Sequence, residues 1–300
     1  MTNKPTAIIN RLVDARVELL QKFWGNTPKL YNHAILCSVG LPYRNQGDDV
    51  RVFSRTSGTT SLRLEAGAIP KLDGSFEEVG LPYGPRARLL LLHLCSEAVK
   101  NQSPIVEVED SFTAFARSLG LATTGRNLNT LRDQVRRMSA VSMRLAKRTG
   151  DYVDVFQGPV FSKMRAEFPK DGPQLQLWPS FVEFSPSFYD SLRQHAVPLR
   201  KEAVAALKHS ARALDVYVWL AHRLWRINDS KPITIRWTTL RFQFGTREQD
   251  IKSFKRAFKT ALKQVLMVYP EAKVEIVKGG LSLKRSSPPV ALQRPRRLLA

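Results

Sequence analysis

The sequence predicts a helix-rich α+β chain built as two tandem copies of one small unit behind a β-rich preface. Three observations predict it. The order helix, strand, helix, turn, basic helix, hairpin occurs twice. Residues 103–112 of the first copy lie over residues 231–240 of the second without a gap. The 300 residues carry 47 Lys+Arg against 26 Asp+Glu, a net charge of +21, with a hydrophobic fraction of 43%. At ~100–200 residues per domain, that length suggests two folded domains, and the charge suggests an anionic partner.

The preface comes first. Apolar residues at helical spacing predict a helix over residues 6–24, with Leu12, Leu19 and Phe23 facing inward. Residues 34–39 suggest a strand leading into the motif LPYR at 41–44. Residues 50–53 and 62–64 alternate as strands around the turn Thr56-Ser57-Gly58-Thr59.

In the first copy, Pro85 opens an apolar helix to residue 99, and 103–108 form a short strand. Asp110 or Ser111 can cap the next helix, because a short oxygen-bearing side chain satisfies an otherwise orphan N–H. Phe112, Phe115 and Leu119 share its apolar face, and Gly120 ends it. A turn through Thr123-Thr124-Gly125 then leads to a long basic helix from Asn127 to residue 148. Its inward stripe is Leu128, Leu131, Val135, Met138 and Ser142. Residues 152–161 and 175–184 suggest a hairpin around a loop containing Pro169, Gly172 and Pro173.

In the second copy, 203–227 read as one long helix and 231–236 carry the repeated strand. Residues 238–242 are a short helix, 244–246 a turn, and 247–268 the second basic helix. Residues 274–277 and 281–283 close it as a hairpin through Lys278-Gly279-Gly280. This order is that of a winged helix, met twice. The expected organisation is 1–190 for the first winged helix with its preface, 191–284 for the second, and 285–300 for a flexible basic tail.

The charge pattern sharpens the expectation. A solvated face is the bland reading of a basic helix, yet such a face ordinarily mixes signs to gain i,i+4 pairs. In the first basic helix Asp133 alone interrupts the positive run. In the second, Ile251, Phe254, Phe258, Leu262 and Val265 cluster on one side, with Lys252, Arg256, Lys259 and Lys263 about 120° away at ~100° per residue. Double-stranded DNA is the partner this implies. Residues early in a recognition helix enter a major groove deepest, which nominates Asn129, Arg132 and Arg136 in the first copy. Arg247, Lys252, Lys255, Arg256 and Lys259 are nominated in the second. Arg grips guanine and Asn grips adenine bidentately, at ~1–3 kcal/mol of discrimination per pair. Arg126, Arg137, Arg144, Lys147, Arg148, Lys263, Lys278 and Lys284 complete the candidate set, with phosphate contact expected of Lys147, Arg148, Lys278 and Lys284.

Other classes find little support. No apolar run reaches the ~18 residues of a membrane span. Cys37 and Cys95 are lone thiols without disulfide or metal spacing, as expected of a reduced, cytoplasmic protein. There is no phosphate-loop motif. The five histidines, His33, His93, His195, His209 and His222, lie far apart, so no metal, cofactor or catalytic centre is expected. His222, Arg226 and Tyr269 offer a faint recombinase-like trio, more simply explained as structural. Trp219, Trp225 and Trp237 could stack on unpaired bases, but their helical spacing favours a core.

One resemblance adds to this reading. LPYR at 41–44, GLPYGPRARLLLL at 80–92, SFTAFARSLGLATTG at 111–125, LRDQVRRM at 131–138, VPLR at 197–200 and ALKHSARALDVYVWLAHRL at 206–224 occur in an order that resembles the plasmid-encoded RepA replication initiators. The match runs from about residue 30 to 283. It implies a bacterial protein that binds repeated origin sites, called iterons, opens the duplex and recruits host DnaA and a DnaB-type helicase. It also implies a monomer–dimer equilibrium, with the first unit as dimer surface, and repression of its own gene. Where the family pattern has a second glycine after Thr-Gly, this chain has Arg126, which either stiffens the turn or touches phosphate. The competing expectation is an operator-binding repressor with no replication role.

Overall fold

The computed structural model describes residues 4–21, 29–71, 73–108, 111–167, 178–228, 231–246 and 250–290. In α1 (Lys4–Gln21), Leu12, Ala15 and Leu19 recur at spacings of three and four and are buried. Phe23, expected beside them, lies outside the described residues. β1 (Lys29–His33) follows, and then α2 (Ala34–Ser38). Residues 34–39, expected as a strand, are instead a helical turn, because His33 Nδ1 accepts the Ile35 amide at 3.2 Å and caps it. Ile35, Leu36 and Cys37 are all buried, so the run has no polar side from which a period could be read. β2 (Val52–Ser57) and β3 (Thr60–Glu65) form the expected hairpin, turning at Gly58 with φ +58°. β4 (Ala68–Pro70) and β5 (Phe76–Glu78) make a small ladder of their own.

α3 (Gly84–Asn101) places Pro85 in its first turn, where a missing N–H costs nothing. β6 (Ile105–Glu107), α4 (Phe112–Ser118) and α5 (Gly125–Ala140) follow. Ser111 Oγ caps α4 by accepting the Ala114 amide at 3.1 Å; Asp110 lies outside the described residues.

The expected basic helix to residue 148 ends at Ala140. β7 (Ser142–Thr149) begins there, with Met143 and Leu145 buried on its inner face. It pairs with β3 on one side and with β8 (Tyr152–Pro159) on the other. These ladders satisfy its backbone as a strand, overriding the helical propensity of the Met, Leu, Ala and Lys within it. The sheet order β2-β3-β7-β8 makes the preface and this hairpin one body. The hairpin expected from 152–161 with 175–184 is corrected likewise: β10 (Trp178–Phe184) pairs with β9 (Phe161–Glu167), and with β6 on its other side.

α6 (Pro186–His195) leads to β11 (Ala196–Arg200), which pairs with β1. The long helix expected over 203–227 is broken into α7 (Lys201–Leu207) and α8 (Ala211–Arg223), with a 3₁₀ turn at Leu224–Arg226. The break has no Gly or Pro. Ser210 Oγ accepts the Ala213 amide at 3.2 Å and restarts the helix. β12 (Ile233–Arg236), α9 (Trp237–Phe244), α10 (Ile251–Val268), β13 (Val274–Val277) and β14 (Gly280–Leu283) complete the chain. α10 starts at Ile251 rather than 247, capped by Asp250, which accepts the Lys252 and Ser253 amides at 2.8 and 2.9 Å.

The repeat is visible in the sheets. β6-β10-β9 and β12-β14-β13 have the same first, third, second order. The two αβααββ units share one continuous core: α8 is buried on every side, and α3 and α10 both pack on it. α1 reaches across to α7 and α10, where Arg11 donates to Ala206 O at 3.1 Å. Residues 285–290, expected as the start of a flexible tail, are packed instead. Ser286 and Val290 are buried, and Tyr269 Oη donates to Ser287 O at 2.8 Å. Among the described residues no helix is long and apolar enough to cross a membrane.

Candidate nucleic-acid interface

α10 separates its faces as its period dictates. Phe254, Phe258, Leu262 and Val265 are buried, whereas Lys252, Arg256, Lys259 and Lys263 are exposed. Lys255 and Lys259 lie over the Trp237 ring, at 5.9 and 5.8 Å from its centre. Hydrogen bonds from Ser253 and the Lys252 amide hold the Asp250 carboxyl below the usual range. Lys252, Arg256 and Lys263 have no ion pair with any described residue, leaving a row of cations at spacings of four and seven. Lys278, at the turn between β13 and β14, and Lys284 are exposed nearby in sequence, Lys284 pairing with Glu275 at 3.3 Å. Arg247 lies outside the described residues.

α5 is more heavily engaged. Arg126 is exposed at its start, and Gly125 there needs no positive φ. Asn129 is exposed and accepts from Arg132 at 3.1 Å; Arg132 also lies 4.8 Å over the Phe112 ring. Arg136 pairs with Glu77 at 2.5 Å. Arg137 is buried, donating to Asp133 at 2.8 Å and lying 3.1 Å from Asp48. It therefore lies inside the fold, apart from the exposed cations. Its guanidinium packs where a Cβ on Gly80 would stand, which explains a glycine there. Arg144, Lys147 and Arg148 sit on β7, a strand rather than a helix. Arg144 pairs with Glu65, while Lys147 and Arg148 are exposed.

One buried polar cluster has no counterpart among the residues that the sequence nominates. Arg88 of α3 and Asp215 of α8 form a buried two-pronged ion pair, Nε–Oδ1 2.6 Å and Nη2–Oδ2 2.7 Å. Arg88 also donates to the carbonyls of Leu41, Pro42 and Gly84. Arg55, Arg88 and Arg212 surround the Tyr43 ring at 5.0–5.1 Å. Burial, then the nearby Asp215, pushes the Tyr43 hydroxyl up to about 12. The motif LPYR, the motif GLPYGPRARLLLL and the helix carrying Asp215 thus converge on one knot between the two units. Within the sequence they stand apart, and no spacing rule joins them.

Several of the remaining candidates are packed in the fold. Trp219 and Trp237 are core residues, packed on Phe244 and Phe258. His93 packs edge-on against Phe115, and Tyr269 is buried. His33 and His195 lie 5.9 Å apart, and no group of three metal-binding side chains forms among the described residues.

Two like-built units, each offering a basic helix to its surroundings, define an α+β protein of tandem αβααββ architecture. The model for the family described as "Plasmid encoded RepA protein" matches residues 81–239, and the chain belongs to that family of plasmid replication proteins. Among solved structures it is similar to domains 2 and 3 of RctB, at 12% identity and a TM-score of 0.50, covering 84% of this chain and 96% of that one. A second structure of RctB domains 2–3 gives 13% identity and a TM-score of 0.49 over 84% and 96%. The first likeness bears on fold. No curated protein matches.

Proposed function

We propose that the two αβααββ units are winged-helix modules through which this plasmid replication protein binds repeated origin sites on double-stranded DNA. The observation that carries this reading is α10, with Lys252, Arg256, Lys259 and Lys263 exposed along one face and the core packed on another. α5, with Arg126, Asn129 and Arg132, is the second reader, and Lys147, Arg148 and Lys278 supply phosphate contacts. Units 1–190 and 191–284 would each address one major groove. Family membership supports duplex opening, recruitment of DnaA and a DnaB-type helicase, a monomer–dimer equilibrium, autorepression and a cytoplasmic site of action. The protein acts in this reading by binding and assembly rather than by catalysis.

Footprinting the full chain on its plasmid's origin at two salt concentrations tests this. Protection of several direct repeats is expected, each spanning about two turns of the duplex, with log K falling as log salt rises. A single protected palindrome would replace the initiator with an operator-binding repressor. Coating without preferred sites would remove sequence reading altogether.

A further inference from the structure

A cavity of about 680 Å³ lies between the β7–β8 hairpin, the start of α2, helix α6 and the end of α8. That is the size of a small-molecule site, ~300–1,000 Å³. Its polar wall comprises Lys147, Gln157, Ser191, His195 and His222, with Asp154 the one carboxylate among its described lining residues. Asp154 faces Lys147 across the ladder, but the two are not within ion-pairing distance. Burial, followed by the charges of Arg226, Lys147, Arg223 and His33, holds the His222 imidazole down to about 3. The wall thus sets one lysine, Lys147, beside a neutral His222 ring and several uncharged polar side chains.

The hydrogen-bond directions agree. His33 Nδ1 accepts the Ile35 amide, so its Nε2 carries the proton and donates to Ser191 Oγ at 2.9 Å. Ser191 is therefore an acceptor on that side, and its own hydroxyl proton remains to be donated. His195 Nδ1 donates to Ser191 O at 3.0 Å, which leaves Nε2 as that ring's other polar atom. Ile35 and Phe156 add an apolar wall, and the volume is more than a phosphate group alone would fill.

We propose that this cavity binds the phosphate of a nucleotide-sized ligand, with Lys147 as its cation and His195, His222, Ser191 and Gln157 as its polar partners. The ligand is a free nucleotide or one nucleotide of a single DNA strand, which present the same phosphate chemistry. The inference does not rest on α5 or α10 reading DNA.

Calorimetric titration of the full chain with ADP, and separately with a twelve-residue oligothymidylate, tests it at pH 6.5. The wild-type protein is compared with His195→Gln and His222→Gln, each first checked for folding by its melting curve. ADP is expected to bind and to lose affinity at least tenfold in each folded variant. If the oligonucleotide alone binds with that same dependence, the phosphate comes from a single strand. Should His222→Gln fail to fold, His195→Gln decides. The proposal is overturned if neither probe binds below millimolar concentration, or if binding is unchanged in the folded variants.

Discussion

Replacing Asp215 with Asn tests the knot between the units most directly. The wild-type carboxylate takes two N–H groups of Arg88 at 2.6 and 2.7 Å, and both side chains are less than a tenth exposed. Asn keeps the volume and one acceptor but leaves the Arg88 cation without its counter-charge. Removing one partner of a buried pair costs ~3–5 kcal/mol, because the remaining charge stays desolvated. Arg88→Met has a different cost, since the carbonyls of Leu41, Pro42 and Gly84 lose their donor as well. The two losses share one interaction, so the double variant should be less destabilised than their sum by ~0.5–3 kcal/mol. Urea unfolding followed by tryptophan fluorescence supplies all four midpoints. A loss below ~1 kcal/mol for Asp215→Asn, or strict additivity in the double variant, would refute the claim that this pair holds the units together.

Three further outcomes are expected. Gly40→Ala should destabilise by ~1–3 kcal/mol in the same assay, because the new Cβ would stand 2.2 Å from Asp215 Oδ2 unless the backbone shifts; unchanged stability would show that the loop gives way freely. Arg256→Ala should weaken binding to an origin repeat by roughly 10–100-fold and to random DNA far less in gel-shift titrations, and equal losses on both would end its base-reading role. Burial, and then the charge of His195, hold His33 down to about 3 from an ordinary 6.5. The unfolded chain therefore binds the extra proton first. The neutral ring's contribution is complete above pH 6.5 and is lost as pH falls towards 3, by up to ~1.4 kcal/mol per pH unit. His33→Gln should flatten the stability slope between pH 6.5 and 5, and an unaltered slope would assign it to other groups.

Local rules are enough wherever the signal is local. The spacing of Phe254, Phe258, Leu262 and Val265 suffices to place the buried face of α10, because a helix fixes which residues share a side. The repeat of 103–112 in 231–240 locates β6 and β12 at matching positions, since both copies carry the same strand pattern. Residues 142–148 show where such rules fail. Their composition suits a helix, and they are a strand because β3, far upstream, and β8, just downstream, supply hydrogen bonds on both sides.

The composition and order of the sequence by themselves determined an α+β chain of two like units with cations on two helices. What the tertiary structure decided is which of those cations stay exposed. Arg137 and Arg136 are drawn into pairs with Asp48, Asp133 and Glu77, whereas Lys252, Arg256 and Lys263 keep to solvent. It also decided that Arg88 and Asp215, 127 positions apart, would meet. Periodicity reports the neighbours of a residue within one element. The pairing of charges between elements depends on how those elements pack, which no single segment encodes.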